Sequence, residues 1–131
     1  MGLDMYAYRT PVQLSKPVDF GDEVFMANEN NESSCSEIKY WRKHPNLHGW
    51  MEKLYYQKGG QSDSFNGSTV ELTLDDLYIL EADINYSKLP DTVGFFFGKS
   101  DGSEREDDLQ FIQDARRAIE EGDKVFYDSS W

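Results

Sequence analysis

The sequence predicts an α+β fold, a single domain in which a mostly antiparallel sheet of four or five strands is packed by three helices. Three observations carry this expectation. Short segments near both ends and in the middle of the chain alternate apolar and polar residues, as half-buried strands do. Between them lie apolar residues at three- and four-residue steps, the spacing of a helix face. Proline and glycine fall where one pattern gives way to the next. With 131 residues the chain is long enough for one core. Eight Phe, eight Tyr and three Trp supply the buried area that a mean hydropathy of −0.72 conceals.

Residues 2–9 place Leu3, Met5 and Ala7 on one side and Asp4, Tyr6 and Tyr8 on the other, a strand with one buried face. Pro11 and Pro17 punctuate a connection, and residues 23–27 read as a second short strand. Residues 28–36 form a polar loop of Asn, Glu and Ser. Residues 37–58 read as helical, with Leu47, Trp50, Met51 and Leu54 on one stripe. The residue before a proline avoids the α region, so Pro45 predicts a break near His44. Gly59-Gly60 ends that helix. Val70 and Leu72 alternate with Thr69, Glu71 and Thr73 as a further strand, and Thr73 with Asp76 resembles a capping box. Leu74, Leu77, Leu80 and Ile84 give the next helix its apolar face, and Leu89-Pro90 closes it. The continuous apolar run 93–97 suits a central strand covered on both faces. Ser103 and Glu106 form a second capping box, opening a helix whose face is Leu109, Ile112, Ala115 and Ile119. Gly122 terminates it, residues 124–127 form a last strand, and residues 128–131 form a tail.

The formal net charge of −12 and a pI near 4.4 argue against direct binding of nucleic acid or of an anionic membrane, whose phosphates are met by Lys and Arg. Most acidic stretches coincide with loops or helix N-terminal turns, where the helix dipole favours carboxylates. Residues 36–60 run against this trend. Lys39, Arg42, Lys43, Lys53 and Lys58 face only Glu37 and Glu52, a local charge of +3 in a chain whose remainder carries −15. His44, His48, Trp41 and Trp50 fall in the same window. No apolar run approaches the roughly 18 residues of a membrane span. Met1-Gly2-Leu3-Asp4 lacks the basic and apolar parts of a signal peptide. Tyr6 stands where a myristoylation signal has Ser or Thr. A lone cysteine, Cys35, fits a reducing cytoplasm.

Among motifs, His44, His48 and Glu52 sit four residues apart, a spacing that could hold zinc on an unbroken helix. Pro45 disrupts that register, so no metal and no cofactor is expected. The string Gly94 to Ser100 is a near match to a phosphate-binding loop, but it has three residues between its glycines where four are needed. Cys35, Ser129 and Ser130 lack any neighbouring pattern for nucleophilic catalysis. Asp4 with His48 makes an acid–base pair only if the first strand passes the helix. Arg42, Lys43 and His48, flanked by Tyr40 and Trp41 and joined by Tyr6, form the most credible group. Arg offers a planar fork for phosphate, Lys a point charge, and the rings a stacking face.

Gly2-Leu3-Asp4-Met5-Tyr6, Tyr40-Trp41-Arg42-Lys43 with His48 and Trp50, Leu89-Pro90, the segment Gly94 to Gly98 and the closing Ser129-Ser130-Trp131 occur in one order. In these segments the chain resembles a family of small bacteriophage and bacterial proteins. Its marine cyanophage members sometimes carry a phosphoglycerate kinase label. The resemblance spans nearly the whole chain and implies a phage source. It departs at His44-Pro45, so it implies no role for His44. The kinase label fails physically, because that reaction needs two large domains closing over two substrates and 131 residues cannot build them.

The expected function is therefore a phage-encoded, non-enzymatic binding protein in the host cytoplasm, holding a small anionic, nucleotide-like ligand and countering a host pathway. Arg42 and Lys43 would contact phosphate, His48 would donate a hydrogen bond, and Trp41 or Tyr6 would stack, with Tyr40 beside them. The alternatives are an acidic inhibitor or DNA mimic acting on a host protein, and a small hydrolase or transferase using His48.

Overall fold

The computed structural model describes residues 2–25, 35–90, 92 and 104–131. Its strands are β1 (Asp4–Thr10), β2 (Ser36–Arg42), β3 (Val70–Leu72) and β4 (Lys124–Ser130), and its helices are α1 (Gly21–Phe25), α2 (Pro45–Gln57), α3 (Leu74–Asn85) and α4 (Arg105–Glu120). The strands form one antiparallel sheet in the order β2-β1-β4-β3. This is the predicted α+β architecture, with one short helix more than expected. No described helix is long and apolar enough to cross a membrane.

The alternation in β1 does what the sequence requires. Leu3, Met5 and Ala7 are fully buried on the face that α2, α3 and α4 cover, beside Val125 and Tyr127 of β4 and Val70 and Leu72 of β3. Tyr6, Tyr8, Phe126 and Asp128 occupy the opposite face, because β1 and β4 pair Tyr6 with Asp128 and Tyr8 with Phe126. There α1 covers one end, where Phe20, Val24 and Phe126 form a second small core.

Several boundaries differ from the sequence reading. Residues 37–42 are strand, not helix: β2 pairs with β1 and sets Tyr40 opposite Tyr6 and Arg42 opposite Asp4. The helix begins only at Pro45, whose missing N–H costs nothing in the first turn, so the expected break at His44 is its start. Gly21–Phe25 is helical where a strand was expected from residue 23. Phe20 and Val24, four residues apart, bury together, and Asp22 and Glu23 sit in the first turn, where the dipole favours them. Residues 26 and 27 lie outside the described part, as does most of the predicted polar loop. Thr73 and Asp76 make a complete capping box. However, α3 ends at Asn85, with Ser87 in the left-handed region, ahead of Leu89-Pro90. Leu74 is half exposed rather than core. On α4 the buried stripe is Asp108, Phe111, Ile112, Ala115 and Ala118, with Leu109 and Ile119 only partly covered. Gly122 ends that region with φ +102, as predicted. Ser129 and Ser130 belong to β4, not to a tail. The run 93–97, the Gly94 to Ser100 string and Ser103 of the second capping box lie outside the described residues.

Candidate functional site

Because β2 is a strand, its residues divide by alternation between the two faces of the sheet. Tyr40 and Arg42 point outward, where Tyr6 already lies. The Tyr6 ring stacks on Tyr8 at 5.9 Å and meets Tyr40 at 5.2 Å with a 47° tilt, a row of three rings across the outer face. The Tyr40 hydroxyl donates to Asp4 Oδ1 at 2.6 Å, and Arg42 Nη1 lies 3.7 Å from the same oxygen. The bond to Asp4 raises the Tyr40 phenol above its ordinary pKa, with Arg42 acting the other way. Burial, then Asp4, Glu37 and Asp128, raise Tyr6. Burial is also the main force pushing Tyr8 to about 12. These rings are neutral phenols near pH 7.

Lys43 joins this group through its backbone. Its φ of 56° turns the chain out of the strand, and its N–H donates to Leu3 O at 2.8 Å. A side chain on Gly2 would meet Arg42 Nη2 at 2.9 Å and Lys43 Cε at 3.1 Å, so the Arg42 guanidinium and the Lys43 stem both pass over that glycine. The structure thus brings together Tyr6, Tyr40, Arg42 and Lys43.

Trp41 and His48 lie elsewhere. Trp41 points inward, packs edge-on against Phe111 at 4.9 Å, and donates its indole N–H to Asp108 Oδ1 at 2.9 Å. His48 is 1% exposed in the inner core, its Nδ1 2.7 Å from the Tyr127 hydroxyl and its ring 5.1 Å from Phe65. Burial lowers its pKa to about 4, so it is neutral at pH 7. A scan of family models and searches of curated proteins and solved structures found no match to this chain.

Residues the sequence reading set aside form a second polar centre. His44 is 3% exposed, and its Nε2 lies 2.7 Å from Asp108 Oδ2. Its Nδ1 is 3.9 Å from Glu104 Oε1. Asp108 therefore engages Trp41 with one oxygen and His44 with the other. This pair borders a cavity of about 230 Å³, with Ile84 and Leu89 as its apolar wall and Ser87 and Arg105 among its polar groups. Among the described residues no group of three or more His, Cys, Asp or Glu could hold a metal, and the two histidines turn to different partners. Asp108 was legible in one respect: a carboxylate three residues before Phe111 and seven before Ala115 sits on a helix's core stripe and needs a buried partner.

Proposed function

We propose that this chain is a non-enzymatic binding protein for a small anionic ligand with a planar ring, held on the outer face of the sheet. Arg42 and Lys43 take the anionic group, and Tyr40 with Tyr6 stacks the ring. The observation that carries this reading is that the Arg42 and Lys43 side chains both pass over Gly2, with Arg42 beside the Tyr40 hydroxyl. The Arg42–Asp4 pair does not prevent it. At 3.7 Å and half exposed, such a pair is worth roughly 0.2–1 kcal/mol, whereas a bidentate phosphate contact is about twice as strong as a neutral hydrogen bond. Base stacking on an aromatic adds about 1–3 kcal/mol per ring. Phage origin and action against a host pathway belong to the same proposal; the resemblance supports the origin, and sequestration of a host metabolite would be the action.

A calorimetric and thermal-shift screen of nucleoside monophosphates, their nucleosides and inorganic phosphate tests this reading. A ligand at about 100 times its dissociation constant should add about 2.7 kcal/mol of stability. Arg42→Ala with Lys43→Ala should abolish the response to the phosphorylated compounds, and Tyr40→Ala should weaken those with a ring more than phosphate itself. A response that survives the double substitution, or none to any compound, sinks the reading.

A further inference from the structure

The helix α3 is apolar on two sides. Leu77, Leu80 and Ile84 point into the core, as an amphipathic helix requires. The opposite side is apolar as well: Tyr78 is 71% exposed, Ile79 52% and Tyr86 74%, with Leu74 at one end. Tyr78 and Tyr86 are eight residues apart and share a face, with Ala82 between them. Contiguous exposed apolar surface of this kind marks an interaction site more often than scattered single residues do. Beside it runs a shallow groove of about 330 Å³ between α3 and α4, lined by Glu81, Asn85, Glu106, Leu109, Gln110 and Gln113.

We propose that this face docks a partner protein that presents apolar side chains within a basic surround. Charge selects the occupant. The helix carries four carboxylates and no Lys or Arg; Asp76 pairs with Lys58 and Glu81 with Arg116, which leaves Asp75 and Asp83, with Glu106 across the groove, to favour a basic partner. The whole chain holds 25 acidic residues against 13 basic. A second copy seated symmetrically would set these carboxylates against themselves, which disfavours a homodimer. The face already accepts a cation: Lys88 Nζ lies over the Tyr86 ring, 5.8 Å from its centroid. A Lys or Arg of the partner would meet Tyr78 in the same way. This surface is separate from the outer sheet face, so either proposal can fail alone.

The test uses the full chain and a labelled synthetic amphipathic helix of Leu and Lys, with a Leu and Glu helix as its counterpart. Fluorescence anisotropy should show binding of the Lys peptide only, weakening but not vanishing as salt is raised. Tyr78→Ser with Ile79→Ser leaves the net charge unchanged and should weaken binding roughly tenfold or more, with the helical circular dichroism retained. Equal affinity of wild type and variant for the Lys peptide, or no binding by wild type, would overturn the proposal. So would sedimentation showing self-association that the same substitutions abolish.

Discussion

Asp108 engages two buried side chains at once, and its neighbours show how a polar group is satisfied in the core. Its oxygens take the Trp41 indole at 2.9 Å and His44 at 2.7 Å, and it is 2% exposed. Removing one partner of such a group leaves the others desolvated without compensation. Asp108→Ala should therefore cost about 3–5 kcal/mol, a large share of the roughly 5–15 kcal/mol of a typical domain. Asp108→Asn keeps an acceptor for Trp41 and should lose less. Urea unfolding of both variants checks the order, and an Asp108→Ala loss below about 1 kcal/mol would show that the pair contributes little. By contrast, the Arg42 side chain is half exposed and its pair with Asp4 is long, so Arg42→Ala should leave the urea midpoint nearly unchanged. That contrast separates a residue that holds the fold from one that the fold does not need.

Within α2, Gly49 shows tertiary packing overriding helix propensity. A mid-helix Gly→Ala normally gains about 0.5–1 kcal/mol. Here a Cβ would fall 1.9 Å from Thr92 Oγ1 and 2.9 Å from its Cβ. Thr92 cannot step aside cheaply, since its N–H donates to Asn46 Oδ1 at 3.0 Å and its hydroxyl to Pro90 O at 3.1 Å. Gly49→Ala should destabilise by about 1–3 kcal/mol. Thr92→Gly should rescue part of that loss in a double-mutant cycle, and additivity of the two would refute the clash. Elements whose pattern is complete in their own residues were legible, such as the alternation in β1 and β3 and the capping box of α3. β2 was not, because what makes it a strand is the open edge of β1, about thirty positions away in the chain. Reading it as helix grouped Trp41 with Arg42. The strand separates them to opposite faces of the sheet. Tyr6, Tyr40, Arg42 and Lys43 lie near one another at the outer face. His48 was misplaced because Leu47, Met51 and Tyr55 share its buried side of α2.

For the molecule as a whole, buried His48 and half-buried Asp128 pull stability in opposite directions as pH changes. Burial lowers His48 from 6.5 to about 4. Its contribution is complete above pH 6.5 and is lost as pH falls through about 4, because the unfolded chain takes the proton first. Burial raises Asp128 from 3.8 to about 6, with the Ser129 backbone bond acting the other way. Its contribution is complete below pH 3.8 and is lost as pH rises through about 6. The two windows overlap and the shifts are similar in size, so in the wild type they largely cancel. Other shifted carboxylates, such as Glu81 held low by Arg116, act equally in wild type and variants and drop out of a comparison. Asp128→Asn removes the rising branch. Its stability relative to wild type should fall on acidification from about pH 6.5 to 4, by an amount on the order of 2–3 kcal/mol. His48→Gln should do the reverse, gaining on wild type over the same interval. Urea midpoints of the three proteins at several pH values give both slopes. If Asp128→Asn tracks the wild type throughout, then Asp128 is ionised in the folded protein without penalty, and the carboxylate beneath Tyr6 is solvated rather than enclosed.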